Sequence, residues 1–429
     1  MYIKYFLSII IFMNICFSDI KWKSSQIYKT KKRITSYQTV LTGLDVLELN
    51  DFDLIKDKRV GIVANHTSIN RFDRNLADLL RIYSQVENPI IFTPEHGFKG
   101  NLSAGHLINK EDTYFNARVI SLYGSNKKPN KDDLKQIDAL VFDLQDIGAR
   151  YYTYTSTLTF AMQAAAENNI PIIVLDRPNP LRGDIIEGPL LNNEYRSFVG
   201  MHPIPIRHGM TIGELAIMIN ENNWLGDSLK ADLTVVPMVG WKRSMWYDET
   251  GKYWRAPSPN LGSLNTSIAY LGTCLIEGTN VSEGRGTYDP FIKIGSPWID
   301  AIDFNKELNK LNLPGVKFFP DSFTPISMPG KAKYPKYENK KCYGTYINIV
   351  NKDSYNPILT GVGILITLIK LYPNDFKWDN NLFIDKLFGS SYLRSFVGQE
   401  RNILSFDPIW EKDQFYFYSF RMPYLIYVK

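Results

Sequence analysis

The sequence predicts an α/β protein: a parallel β-sheet with helices on both faces, followed by a smaller α+β domain. Three observations carry that expectation. Short apolar runs such as Arg59–Ala64, Asp138–Phe142 and Ile170–Leu175 alternate with helical stretches over roughly two hundred residues, the pattern of βαβ units. Each run is closed by polar residues with turn chemistry rather than by a hairpin. From about Phe291 prolines and aromatics multiply and alternation weakens, which sets a domain boundary near residue 290. At 429 residues the chain is long enough for two cores.

Taken in order, the chain opens on a targeting segment. Lys4 precedes the apolar stretch Tyr5–Phe17, which is too short to span a bilayer, and Ser18 is a small residue suited to cleavage. Residues 1–18 are therefore read as a signal peptide, and the protein as exported to the periplasm or beyond. Met13-Asn14-Ile15 is a poor lipobox for Cys16, which favours release over lipidation. After the segment is removed no stretch suits a transmembrane helix; Ile358–Leu371, broken by Gly361 and Gly363, reads as a buried helix.

The formal charge of +5 comes from the start of the chain. Residues 1–37 carry Lys4, Lys21, Lys23, Lys29, Lys31, Lys32 and Arg33 against Asp19 alone, leaving 42 basic and 43 acidic residues elsewhere. Residues 19–37 are read as a solvated basic tail, and the neutral body argues against a nucleic-acid partner. Cys274 and Cys342 either pair or lie as two buried thiols; no Cys-based metal motif exists.

The first domain, 38–290, begins with a short helix at Gly43–Leu54. Strands follow at Arg59–Ala64, Pro89–Phe92, Arg118–Leu122, Asp138–Phe142, Ile170–Leu175 and Leu233–Val236. Helices are expected at Leu76–Tyr83, from the Tyr151-Tyr152-Thr153-Tyr154 run to about Asn168, and at Thr211–Asn222, whose Thr-x-x-Glu start is a capping box. In the second domain, 291–429, Gly344–Val350 is strand-like and helices follow.

Four strand ends share one design: Asn65-His66, Glu95-His96, Asp143/Gln145/Asp146 and Asp176-Arg177-Pro178-Asn179. A parallel sheet brings all four to its carboxyl edge, where α/β proteins bind ligands. Glu95 and His96 sit in Thr93-Pro94-Glu95-His96-Gly97-Phe98-Lys99-Gly100, whose glycines allow a sharp turn or a close approach to a ligand.

Absences narrow the chemistry. The sequence lacks the G-x-S-x-G elbow, G-x-G-x-x-G and the P-loop, and its five histidines (66, 96, 106, 202 and 208) match no standard zinc spacing. No cofactor or metal is expected. Carboxylates remain, as glycoside hydrolysis requires, with Glu95 acting as acid if burial raises its pKa. Glu95, His96 and Asp146 are the candidate catalytic residues. A glycine-rich loop carrying Glu277, Asn280, Glu283 and Arg285 is placed to roof the cleft. Arg150, Arg177 and Arg285 suit bidentate binding of a substrate carboxylate, and equally suit structural ion pairs.

With these residues in place, the chain resembles the NamZ-type exo-β-N-acetylmuramidases, long described as a domain of unknown function. The matching runs are GIVANHTS, PEHGFKG, SLYG, VFDLQDIGARYYTY, VLDRPNP, HGMTIGELA, SPNLG, EGTNVSEGRGTYDPF and GSPW, in order over most of the chain. Gly262 after SPNL and His106 after Ala-Gly depart from the family pattern. The resemblance implies a Rossmann-like first domain that binds no dinucleotide, a smaller second domain and a site in the cleft between them. It implies release of N-acetylmuramic acid from the non-reducing end of peptidoglycan fragments, with Glu95 as general acid/base. The substrate-binding set is then Asn65, His66, Gln145, Arg150, Tyr152, Tyr154, Arg177, Asn179, Glu277, Asn280, Glu283 and Arg285. Tyrosines suit an apolar sugar face, arginines the lactyl carboxylate. Two readings from other classes stand beside it: a muropeptide-binding protein without catalysis, and a metal-dependent deacetylase or amidase.

Overall fold

The computed structural model describes residues 22, 24–30, 39–83, 89–102, 112–398 and 410–427. The expected signal peptide with Cys16, most of the basic tail, and His106 lie outside them. In chain order the strands of the first domain are β1 (Ser25–Ile27), β2 (Val60–Ala64), β3 (Ile90–Thr93), β4 (Asp112–Tyr114), β5 (Ala117–Ser121), β6 (Ala139–Asp143), β7 (Ile172–Leu175), β8 (Glu187–Leu190), β9 (Pro205–Arg207) and β10 (Leu233–Val236). Eight of them form one sheet in the order β1-β10-β7-β6-β2-β3-β5-β4, parallel except at β4–β5. This is the expected α/β architecture, a Rossmann-like sheet.

The central strands β2, β3, β6 and β7 are almost wholly apolar because each feeds two cores. Val60 and Ile62 of β2 join Val141 of β6 and Ile173 of β7 in one cluster. Val63, Leu140, Phe142, Ile172 and Val174 join the other. Successive residues point to opposite faces, so a sheet covered on both sides needs apolar residues at every position. The helix Ile212–Glu221 begins with the capping box that Thr211 and Glu214 predict. The first helix is shorter than expected, Gly43–Leu49, because Asp51 and Phe52 turn the chain through left-handed conformations with φ of 58° and 53°.

Part of the basic tail is not solvated. Ser25–Ile27 adds a parallel edge strand beside β10, fixed by Tyr28 N donating to Val235 O (2.9 Å) and by Ser25 Oγ donating to Glu221 (2.8 Å). Three residues with one large aliphatic side chain carry no periodicity, since an edge strand is held by backbone hydrogen bonds rather than by its own core.

The second domain holds the antiparallel sheet β11 (Lys293–Ser296), β13 (Cys342–Ile349) and β12 (Val316–Phe323), in that order. Its helices include Ala301–Lys310 and Pro357–Leu371. The helix Leu264–Thr273 packs on Pro357–Leu371, so the second domain's packing begins before the expected boundary near 290. The two helices meet backbone to backbone: a Cβ on Gly272 would overlap the Pro357 carbonyl oxygen, and one on Gly361 would overlap that of Gly272. Gly361→Ala should destabilise the protein by about 1–3 kcal/mol, because a packed interior yields little to an added methyl. Chemical denaturation measures this, and an unchanged midpoint would show that the helices part freely. Cys274 and Cys342 are both buried free thiols, which removes the pairing alternative.

Adjacency in the sheet positions the site. Strands β7, β6, β2 and β3 are consecutive and parallel, so the four polar runs leave from one edge. Strand β2 is flanked by β3 on one side and β6 on the other, which makes the β2/β6 boundary the point where the winding reverses.

Candidate active site

The turn after β3 is tight. His96 takes φ 75° and Gly97 φ 73°, a left-handed pair that costs a non-glycine residue about 1–2 kcal/mol. His96 Nδ1 bonds Leu102 O at 2.8 Å, which pins the ring. Because a carbonyl can only accept, Nδ1 carries the proton and Nε2 keeps its lone pair in the neutral ring. Gly100 closes the turn at φ 63°, and a Cβ there would overlap the His66 ring. The close approach that the glycines permit is thus to His66, not to a ligand. His66 is itself fixed by Nε2 at 2.8 Å from Ala256 O.

Glu95 and His96 line a cavity of ≈ 240 Å³. Tyr152 and Thr153 reach it from the loop after β6, and Glu277 and Arg285 from the glycine-rich loop at the edge of the second domain. Glu95 is half-buried, and its Oε2 accepts from Thr153 Oγ1 at 3.2 Å. Burial holds the His96 imidazole below its ordinary pKa, helped by Arg285 and opposed by the Glu95 carboxylate and the Leu102 carbonyl. A neutral imidazole thus sits beside a carboxylate. Tyr151, Tyr270 and Leu387, all buried, form the inner wall.

Arg285 is clamped from one side. Its Nη2 and Nε donate to Glu277 Oε1 at 2.7 and 3.2 Å, Nε lies 3.6 Å from Glu283, and the guanidinium sits 5.0 Å over the Phe291 ring. Nη1 is buried with no hydrogen-bond partner among the described residues. Glu283 also pairs with Lys336 at 3.1 Å, and both cations hold its carboxyl below the usual range despite full burial.

Other expected site residues are placed elsewhere. Gln145 and Arg177 line a separate cavity of ≈ 140 Å³ with Thr67 and Lys252, so the single cleft expected at the four strand ends is divided. Arg177 is buried in an ion pair with Asp143 (2.5 and 2.8 Å). Arg150 is not on the cavity wall: it is buried, and its two Nη atoms donate to the carbonyls of Pro189, Ile204, Leu387 and Phe388 at 2.7–3.0 Å. Asn65 joins strand ends, donating to Tyr154 Oη (2.8 Å), which in turn donates to Pro257 O (3.0 Å). Neither residue lines the catalytic candidate cavity, so Tyr154 positions Tyr152, edge-to-face at 4.7 Å, instead of stacking on a sugar. Asn179 holds Met210 O, and Asn280 ties its loop to Asp375 O and Lys377 N.

Asp146 also lies off the cavity wall. Burial pushes its carboxyl up to about 7, against the Gly148 N–H that donates to Oδ2 at 2.7 Å. Among the described residues Oδ1 has no hydrogen-bond partner, and His208 Nε2 stands 3.8 Å from Oδ2. It sits behind the tyrosines, a buried group without a substrate surface.

Sequence reasoning missed Thr153, Tyr123, Phe198 and Phe291 as lining residues. Thr153 lay within the polar run before a helix and Phe291 at the change of texture, both legible signals. Phe198 carries none. Among the described residues, no three His, Cys, Asp or Glu side chains are grouped as metal ligands would be.

The doubly wound sheet and the second domain, which together bring Glu95, His96 and Arg285 to one cavity, define a two-domain α/β protein. Residues 60–265 match the family described as exo-beta-N-acetylmuramidase NamZ, N-terminal, and residues 268–427 its C-terminal counterpart. The chain belongs to the exo-β-N-acetylmuramidase NamZ family, a family of glycoside hydrolases. It is 40% identical over 399 residues to the peptidoglycan beta-N-acetylmuramidase NamZ of Bacillus subtilis (strain 168), covering 93% of this chain and 94% of that one. Crystal structures of two DUF1343 family proteins from Bacteroides fragilis NCTC 9343 are similar. One has a TM-score of 0.82 at 33% identity, covering 91% of this chain and 100% of the other. The second has 0.73 at 34%, covering 90% and 99%.

Proposed function

We propose that this protein is an exo-acting hydrolase that releases N-acetylmuramic acid from the non-reducing end of peptidoglycan fragments, with Glu95 as general acid/base. The observation that carries the reading is the meeting of Glu95 with Arg285 in one cavity, a proton-transfer group beside an orphaned cationic donor. A buried donor left unpaired costs about 1–3 kcal/mol, and a substrate carboxylate would relieve it. Muramic acid differs from glucosamine by a lactyl carboxylate, so Arg285 is the group that tells them apart.

Size supports terminal attack. At ≈ 240 Å³ the cavity is below the about 300–1,000 Å³ of drug-sized pockets, and suits one sugar ring. An inner wall of buried side chains takes a chain end in preference to mid-chain.

Proton transfer falls to Glu95. Glu277, the other carboxylate on the wall, is held by Arg285 and serves to aim the guanidinium. Thr153 orients the Glu95 carboxylate, and the neutral His96 offers Nε2 as the adjacent base for a water or for proton return. Export through the Tyr5–Phe17 segment belongs to the same proposal, since peptidoglycan lies outside the cytoplasm.

A defined tetrasaccharide tests the mode of attack. With muramic acid at its non-reducing end, the first product should be the monosaccharide N-acetylmuramic acid. The tetrasaccharide that begins with glucosamine should persist. Internal cleavage of either would overturn the exo reading.

A further inference from the structure

The cavity that holds Glu95 adjoins a second depression of ≈ 360 Å³, and Glu277, Arg285 and Phe383 line both. Its far side is the loop 331–336. That loop is seated by both domains. Asn260 Nδ2 donates to Lys331 O (2.9 Å), and a Cβ on the adjoining Gly330 would overlap the Asn101 carbonyl oxygen. Lys336 Nζ donates to the carbonyls of Ile276, Glu277 and Val281 at 3.1, 3.2 and 2.9 Å. Lys336 is therefore spent on anchoring the loop.

Lys331 and Lys333 are not. Among the described residues no carboxylate forms an ion pair with either. Lys333 Nζ lies 5.1 Å over the ring of Tyr334, which is 79% exposed. A tyrosine ring left in water beside two cations, at the mouth of a sugar-sized cavity, offers a stacking face and a carboxylate site together.

We propose that this depression receives the leaving saccharide: Tyr334 stacks on the neutral sugar next to the scissile bond, and Lys331 and Lys333 take the carboxylate of the acidic sugar after it. The proposal rests on the muramidase reading. It makes the preferred substrate an alternating acidic glycan of at least three sugars.

Three substrates test it: an aryl N-acetylmuramide, the disaccharide of N-acetylmuramic acid and N-acetylglucosamine, and the trisaccharide ending in a further N-acetylmuramic acid. Wild-type protein should show a lower KM for the trisaccharide than for the disaccharide. Two exposed charge pairs support a several-fold difference, up to about tenfold. Added salt should narrow it. The Lys331→Ala/Lys333→Ala variant should abolish the difference, Tyr334→Ala should raise KM for both saccharides, and the aryl muramide should be hydrolysed as by wild type, which also reports correct folding. Equal KM values for di- and trisaccharide in wild type, or variants that leave them unchanged, would overturn the subsite. A wild-type protein inactive on all three substrates would overturn the muramidase reading instead, and this proposal with it.

Discussion

Glu95→Gln should lower kcat on an unactivated muramyl saccharide by about 10²–10⁴-fold, the usual contribution of a positioned acid or base. Glutamine keeps the shape and an oxygen to accept from Thr153 Oγ1, so the turn and the cavity should survive. What disappears is the titratable proton. Because that proton acts in the transition state, KM should change little. The defect should shrink on a substrate with an acidic phenol as leaving group, which departs without protonation. The opposite split, a raised KM with kcat intact, would make Glu95 a binding contact and favour a protein that captures muropeptides without cleaving them.

Removing the Arg285 guanidinium should weaken selection of the lactyl carboxylate. Losing one charge-assisted pair costs about 1.5–3 kcal/mol, or about 10–150-fold in kcat/KM for the muramide. The glucosamine analogue, which lacks the carboxylate, should lose little. Arg285→Ala leaves Glu277 without its clamp, and Glu283 then relies on Lys336 alone. Arg285→Lys is therefore the companion variant: it keeps the charge but not the fork, and should fall between wild type and alanine on the muramide. Equal losses on both sugars in both variants would assign Arg285 to holding the loop.

The sheet was legible because burial on both faces writes an unbroken apolar run into the sequence, as at Val60–Ala64 and over residues 139–142. The capping box at Thr211 was legible because its partners are three residues apart. The site was legible only in part. A strand end shows that Glu95, Gln145 and Arg177 leave one sheet edge, but not that loop packing divides that edge into two cavities. Arg150, Arg177 and Arg285 look alike in sequence, and their fates are settled by atoms far along the chain. Arg150 meets the carbonyls of Leu387 and Phe388, Arg177 the Asp143 carboxylate, and of the three Arg285 lines Glu95's cavity, with Nη1 unpartnered among the described residues. The strand at Ser25–Ile27 was invisible for the converse reason, since backbone pairing on an edge asks nothing of side chains.

The most direct test of the central claim is the rate of the purified mature protein on two chromogenic glycosides that differ only in the lactyl group. An aryl N-acetylmuramide should be hydrolysed, and the matching aryl N-acetylglucosaminide should lag by at least the ten-fold or so that one arginine–carboxylate pair provides. Equal turnover of the two sugars, or turnover of neither, would contradict the account.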